Sequence, residues 1–458
     1  MEKKANLINW IAAKNWGLNY KNCGLLYKAA FEPAILYTAS VWSEAIKNIH
    51  MRNKLASLQR KYTIQIVKAY NTAPSNALLV LANILPLHIQ AKILSWHWQL
   101  TTSNYNSNEN ANETTTNIIK DIKRTIFANK TQQQNKIDRK LNKQETLKHP
   151  AEEPNYYILW DPEESLNLHT NYTIYTDGSK NQNGTGSGFN IRNSKNRTIY
   201  QSYQHLAPYC TNSEAEMWAI YSALQYIINN TDKYKKTIKI LTDSKKILHL
   251  MNNQKKLTCL GHHMITTAGN LGNKRKLFIG WLPSHTGIEG NEVADKLAKL
   301  NTRKSNYYSF SNIPLSIVKN QLTSFANNIW QEEWQSSNTG RSCYIIIPSI
   351  KDRQKTKHFT PDKNSTQILT GHRNFPAYLH RIGKRSSDKC NCGEVGDANH
   401  YLFHCIIYDQ LRLKVIKNCL SKGIIWPPDP PQILKDKDLW KEMMSFINKT
   451  GILEPSHV

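Results

Sequence analysis

Two groups of side chains in this chain have the types and spacing for metal chemistry. The first is four carboxylates, Asp177, Glu216, Asp243 and Asp295, spread between Tyr172 and Leu300 at the ends of regular elements, where they could hold a pair of divalent cations. Carboxylate oxygens without thiols suit a hard ion such as magnesium. His285 follows in the same stretch, and an imidazole on a loop titrates near working pH and can carry protons. The second group is Cys390, Cys392, His400 and Cys405, spaced C-x-C-x7-H-x4-C, a set of soft and borderline ligands suited to tetrahedral zinc. Its C-x-C is one residue shorter than the usual gap, His404 competes for the histidine position, and a reduced cysteine cluster in a core is the ordinary alternative.

The elements that would position the carboxylates can be read from periodicity. YTIYTDGSK alternates and is rich in aromatic and β-branched residues, so a strand breaks into a turn at Asp177-Gly178-Ser179. Glycines 184, 186 and 188 mark a hairpin into NRTIYQSYQ. In TNSEAEMWAIYSALQYIINN, Met217, Ile220, Leu224 and Ile227 recur at helical spacing, with Asn212 or Ser213 as the cap and Glu216 near the helix start. KTIKILTDS is a buried strand ending at Asp243, with Ser244 capping the next helix; this strand-to-helix change is what a βαβ unit requires. KLFIGWLPSHTGIEGNEVADKLAKLN supplies a last strand, the His285 loop and a helix bearing Asp295. Taken singly, each acidic residue has a plainer explanation. Asp-Gly is a common turn, Asp243 resembles a helix cap, Glu216 complements a helix dipole, and Asp295 sits near Lys296 and Lys299 as a solvated charge would.

The combination changes the odds. TDGS, TNSEAEMWAI, ILTDS and SHTGIEGNEVADKLA, in this order, resemble a type 1 ribonuclease H domain. The resemblance implies an α/β domain with a five-stranded mixed sheet and helices, which cleaves the RNA strand of an RNA–DNA hybrid. Carried over onto this sequence, Asp177, Glu216, Asp243 and Asp295 become the ligands of two Mg2+ ions, with Mn2+ as a substitute. His285 becomes the loop histidine that shuttles protons or helps product leave. Two cations about 4 Å apart activate the attacking water and neutralise the leaving oxygen in phosphodiester hydrolysis. RNA is told from DNA through the 2′-hydroxyl, for which Ser179, Thr211, Asn212 and Ser213 in the matching motifs are the expected contacts. An integrase-type transferase shares the topology but has the acidic order Asp, Asp, Glu, which this chain does not follow.

Around that stretch the 458 residues divide further. The formal net charge of +26 and sequence pI near 9.6 point to a polyanionic partner. No apolar run is long enough to span a bilayer, the N-terminus does not read as a secretory signal, and the eight cysteines are expected to be reduced. The expected location is therefore intracellular, cytoplasmic or nuclear. Residues 1–103 read as helices, with Leu55, Leu58, Tyr62 and Ile66 on one face. KNWGL, LYKAAFEPAILYTASVW and LQRKYTIQIVKAYNTAPSNALLVLANILPLHI resemble the thumb and connection of a jockey-type non-LTR retrotransposon reverse transcriptase. No Asp-Asp pair of a polymerase palm occurs, so DNA synthesis by this chain alone is not expected, and the chain reads as a truncated copy or fragment of such an element. Residues 104–167 read as a polar linker, in which Ile118, Ile119, Ile122 and Ile126 suggest one amphipathic helix. Residues 168–303 form the nuclease-like domain. Residues 304–458 read as mostly helical, with the indoles of Trp330 and Trp334 in a core and the Cys/His cluster at 390–405, whose LTGH, CxCG and HxxxxC strings resemble the zinc-knuckle-like tail of the same retroelements. The expected partners are an RNA–DNA hybrid and, at the knuckle, template RNA, with no membrane and no protein partner inferable. The rival reading is a noncatalytic nucleic-acid-binding remnant of a reverse transcriptase.

Overall fold

The computed structural model describes residues 18–101, 137–141, 155–234, 236–254, 257–300 and 307–453. The helix expected around Ile118–Ile126 lies outside them. The chain forms two compact units, one from 1–98 with 322–458 and the other from 99–321.

The first unit is helical. Its N-terminal part includes α1 (Ile49–Ile66), α2 (Ser75–Ala82) and α3 (Leu87–Thr101). Leu55, Tyr62 and Ile66 of α1 are buried, and Leu58 packs against them, which is the face the spacing predicts. Tyr27, Phe31 and Tyr62 cluster, with ring centroids of Phe31 and Tyr62 3.6 Å apart. Among them Gln59 is buried but satisfied: its Nε2 donates to the Tyr27 hydroxyl and the Leu85 carbonyl, and its Oε1 accepts from the Leu87 N–H. A buried amide tolerates this position because each polar atom finds a partner.

In the second unit, β1 (Tyr157–Leu159) and α4 (Pro162–Asn167) precede the long hairpin strands β2 (Tyr172–Lys180), β3 (Thr185–Asn193) and β4 (Thr198–Leu206). Then come α5 (Asn212–Asn229), β5 (Ile238–Thr242), α6 (Lys245–Asn252), α7 (Cys259–Gly272), β6 (Leu277–Trp281) and α8 (Glu289–Leu300). The sheet order is β1-β6-β5-β2-β3-β4. β2, β3 and β4 pair antiparallel, whereas β5 pairs parallel to β2 and to β6. Met217, Ile220, Leu224 and Ile227 of α5 are buried in the sheet's core.

Two expectations are corrected here. The mixed sheet contains the five expected strands and a sixth, β1, which pairs parallel with β6. Residues 104–167 are also not uniformly a linker, because 137–141 and 155–167 are built into this unit. Asp138 accepts the Leu260 N–H at the start of α7, and Leu141 N–H donates to Leu257. Lys239, buried in β5, donates to the carbonyls of Ser165, Leu166 and Leu168 and so ties the end of α4 to the sheet. These pieces are too short for periodicity to reveal them.

The C-terminal part of the first unit includes α9 (Leu315–Ser336), α10 (Arg341–Ile346), α11 (Ile350–Lys355), α12 (Lys363–Thr370) and α13 (Pro376–Arg381). It continues through α14 (Ala398–Phe403), α15 (Asp409–Ser421) and α16 (Lys437–Thr450). Trp330 and Trp334 are buried, as expected, and Trp334 Nε1 donates to the Ile347 carbonyl. N- and C-terminal helices share one core. The buried Arg353 donates to the Leu81 carbonyl, and Thr366 donates to that of Val67. The boundaries read from sequence had kept 1–103 and 304–458 apart, since contacts across some 270 positions leave no local pattern.

Among the described residues no single helix is long and apolar enough to cross a membrane. The apolar residues Leu78–Leu81 of α2 are spent on the core.

Candidate active site

The register of the central strands brings two of the carboxylates together. Thr176 of β2 pairs with Thr242 of β5, so Asp177 and Asp243 each stand one residue beyond that pair, on neighbouring strands. Thr242 pairs in turn with Trp281 of β6, whose indole Nε1 donates to the Asp243 carbonyl at 3.0 Å. The His285 loop leaves from the end of β6. His285 itself is exposed, with a left-handed backbone (φ 56°), and its charge acts on Asp243.

Two glycines admit the helices that carry the other carboxylates. A Cβ at Gly178 would collide with the backbone N of Glu216 and with Ala215, so the TDGS glycine is what allows α5 to lie against β2. Gly188 is the register partner of Asp177, and a Cβ there would sit 2.7 Å from Ala298 N and 2.9 Å from the Ala294 carbonyl, where α8 packs. α8 is held at its start by Asn190 Nδ2, which donates to the Gly290 carbonyl, and by the buried Arg192, which pairs with Glu289 at 2.8 Å. The start of α5 is held by Lys180 Nζ and Thr185 Oγ1, both donating to the Cys210 carbonyl.

The helix cap is Thr211, which forms a capping box with Glu214, not Asn212 or Ser213. Asn212 is instead turned to the site, where its Nδ2 donates to Glu216 Oε1 at 2.8 Å, and Ser213 Oγ accepts from Lys246 Nζ. Ser244 occupies the cap position of α6 without a side-chain cap bond. Its hydroxyl lies beside Glu216 and favours the ionised carboxylate. Ser179 is half-buried near the end of β2.

Burial and the charges of their neighbours raise three of the four carboxyls. Burial pushes the Asp177 carboxyl up to about 8, helped by the charges of Asp243, Glu216 and Asp295 and opposed by the Gly178 N–H, which donates to Oδ1 at 2.7 Å. Burial and Asp243 push Glu216 up to about 7, and burial raises Asp243 too, with Asp295 adding and His285 opposing. Like charges gathered in a partly desolvated place resist ionisation unless a cation joins them. The donor set fits one: Glu216 Oε2 is buried and has no hydrogen-bond partner among the described residues. Asp295, half-buried, is paired with Lys299 at 2.6 Å. The carboxylates are more loosely gathered than the second group.

That second group is tight. The ligand atoms of Cys390, Cys392, His400 and Cys405 all lie within 4.8 Å of one another. Cys390 and Cys405 sulfurs are 3.7 Å apart, close to the roughly 3.8 Å edge of a tetrahedron with metal–sulfur bonds of about 2.3 Å. Cys392 Sγ is 3.2 Å from His400 Nε2. The competing His404 is exposed and outside the group. The short C-x-C is accommodated by a turn in which Gly393 (φ 96°) donates to the Cys390 carbonyl. Burial lowers the pKa of His400, favouring the neutral imidazole a metal requires. The buried Arg412 donates to the carbonyls of Tyr401, Leu402 and Cys405, fixing the end of α14 and the last ligand.

Sequence reasoning missed the supporting residues. Gly188 was visible only as a hairpin glycine, and nothing local marked Asn190, Arg192 or Trp281.

Comparison with known proteins matches residues 169–303 to the family model described as RNase H. A relative among curated proteins is the Retrovirus-related Pol polyprotein from type-1 retrotransposable element R1 2 of Nasonia vitripennis, 39% identical over 85 residues, 18% of this chain and 21% of the relative. The chain spans a quarter or less of the length of the first curated relatives it matches. Among solved structures, RNase H1 from Halobacterium salinarum NRC-1 is 20% identical with a TM-score of 0.24, covering 28% of this chain and 94% of that one. LC11-RNase H1 in complex with RNA/DNA hybrid is 23% identical with a TM-score of 0.25, covering 28% and 97%. Residues 169–303 thus carry an RNase H-like domain, and the chain is similar over part of its length to retrotransposon polyproteins.

Proposed function

We propose that residues 168–303 hydrolyse the RNA strand of RNA–DNA hybrids, with Asp177, Glu216, Asp243 and Asp295 holding two magnesium ions. The observation that carries this reading is that Asp177, which lies within β2 instead of at the strand break the sequence suggests, neighbours Asp243 just beyond the end of β5 and feels the charges of Glu216 on α5 and Asp295 on α8. When bound, the cations supply charge neutralisation at the phosphate and an activated water. The chain's own residues set the rest of the site. Gly178 and Gly188 bring the helices in, Trp281 fixes the Asp243 backbone, and Asn212 holds Glu216 Oε1 while Oε2 keeps no hydrogen-bond partner among the described residues. His285, exposed on its loop, accepts or returns the proton that the reaction moves. Ser179, Asn212 and Ser213 are the candidate contacts for the 2′-hydroxyl; Thr211 is already engaged as the helix cap.

The Cys/His group is the proposed zinc site, closing a small module around α14. Binding there stabilises the fold and takes no part in hydrolysis.

The test is cleavage of a labelled hybrid beside single-stranded and duplex RNA, with and without magnesium. Cleavage confined to the hybrid and lost in Asp243→Asn is expected. Full activity in that variant would place the chemistry elsewhere.

A further inference from the structure

The first turn of α6 carries charge of the sign that a helix start disfavours. It holds Lys245 and Lys246 and no acidic residue, although the free N–H groups there favour negative charge. Both lysines are exposed, so burial does not account for them. Each instead reaches to an element beside the carboxylates. Lys245 Nζ lies 3.7 Å from the centre of the Trp281 ring, whose Nε1 supports Asp243. Lys246 Nζ crosses to α5 and donates to Ser213 Oγ at 2.7 Å, and its charge also acts on Glu216.

The contact with Ser213 fixes the sense of a hydrogen bond as well as a position. An ammonium has donors alone, whereas a hydroxyl has one proton to give and two lone pairs. With Lys246 on a lone pair, the ammonium's charge turns the Ser213 proton away from itself. That proton has no acceptor among the described residues, and the hydroxyl is left to donate outward.

Asn212, one residue earlier, is fixed with the opposite sense. Beside a carboxylate its amide presents the nitrogen, so Nδ2 donates to Glu216 Oε1 at 2.8 Å and Oδ1 remains an acceptor. Asn212 is exposed and Ser213 half-buried. The first turn of α5 therefore offers one acceptor and one donor, each set by a charged neighbour. A 2′-hydroxyl makes bonds of both kinds. A sugar without it leaves such groups unpaired, which is how a site rejects an analogue lacking a hydroxyl.

We propose that Lys246 determines how strongly the chain prefers ribose: by donating to Ser213 Oγ it holds that hydroxyl as a donor to a 2′-oxygen of the substrate strand. Lys246 acts through Ser213 and is a positioning residue, and its role rests on the hybrid-cleavage reading of the same site.

The experiment measures kcat and KM of the full chain in magnesium, on a hybrid with an all-ribose strand and on hybrids with a single 2′-deoxy sugar at successive positions around the cut. The readout is the penalty for removing a 2′-hydroxyl, the ratio of kcat/KM between the all-ribose hybrid and each substituted one. Ser213→Ala should shrink the penalty at one sugar, which marks the nucleotide that Ser213 reads. At that sugar Lys246→Met, which keeps the aliphatic stem and removes the donors, is expected to shrink the penalty about fivefold, roughly the worth of one ordinary hydrogen bond. The loss should fall on the all-ribose strand, and Lys246→Arg, which donates again, should restore it. In a Ser213→Ala background Lys246→Met should change the penalty no further, since the lysine acts through that hydroxyl. The assignment is overturned if no sugar responds to Ser213→Ala or if the penalty is unchanged in Lys246→Met. It is also overturned if Lys246→Met shrinks the penalty as much without the Ser213 hydroxyl as with it, which would mean that the ammonium meets the substrate itself. Those results leave the hybrid-cleavage reading standing, whereas a parent protein that does not cleave the hybrid removes both.

Discussion

Asp177 and Glu216 must lose their protons in surroundings that hold them. Both carboxyls are raised, to about 8 and about 7, above the ordinary range they have in the unfolded chain. The folded unit therefore binds protons that the unfolded one has released, and its stability is present at low pH and lost as pH rises from about 4 through about 8. Without added metal, the thermal midpoint of this unit is expected to fall across that window, a loss on the order of a few kcal/mol for the coupled group. Millimolar magnesium should flatten the curve, with the larger rescue at the higher pH, because the cation takes the place of the protons. Scanning calorimetry between pH 5 and pH 8.5 measures both, and a midpoint indifferent to pH and to magnesium would mean that the carboxylates do not share a site. By the same electrostatics, Asp243→Asn removes one of the repelling charges. It should raise the metal-free midpoint while abolishing the magnesium shift and reducing cleavage to background.

Elements bring these residues together, and two glycines decide how closely. Gly178→Ala is expected to push α5 away from β2, at a cost of about 1–3 kcal/mol for an overpacked contact, and to lower cleavage because Glu216 moves with the helix. Gly24→Ala is the matched control. Gly24, unlike the strand residue Gly178, lies in a helix (Tyr20–Leu26) and has open space where a Cβ would stand, so the change should be neutral or stabilising by up to about 1 kcal/mol. Chemical denaturation of both variants measures the contrast, and equal effects would show that the close approach at Gly178 does not matter. The same elements show what a sequence reveals. Strands of five to nine residues with alternating or continuous apolar character, and α5 with its apolar stripe, were legible because their patterns run long enough to repeat. The start of α5 is misplaced by one or two residues in the sequence reading, since Thr211, Asn212 and Ser213 are all good caps and only the reach of Glu214 back to Thr211 chooses among them. β1 has three residues and α4 six, and the interaction holding α4 is a buried lysine whose partners are backbone carbonyls some 70 positions away, which leave no local pattern. The Cys/His group was legible for the opposite reason: metal ligation depends on residue types and short spacings that need no repeat. Arg192 and Trp281 gave no signal, because each acts on a residue dozens of positions away or on a backbone carbonyl.

At the scale of the molecule, two cores of different kinds divide the chain, and each has its own proposed cation. The helical core draws on both ends of the sequence, through Arg353 with Leu81 and Thr366 with Val67, so the proposed zinc at 390–405 would brace a structure that includes the N-terminal helices. The sheet core is contained within 99–321 and would be braced by magnesium. The two cations should therefore act on different transitions. Removing zinc with a selective chelator, or substituting Cys392→Ser, is expected to lower the transition of the helical unit by several degrees and leave the magnesium-dependent shift of the other intact. Adding magnesium should do the converse. Differential scanning calorimetry, paired with elemental analysis for zinc, distinguishes the cases. A Cys392→Ser protein that keeps its full zinc content removes that ligand from the site. A single transition displaced equally by either cation would mean that the helical core and the sheet melt as one, and the assignment of separate stabilising ions to separate units would fail with it.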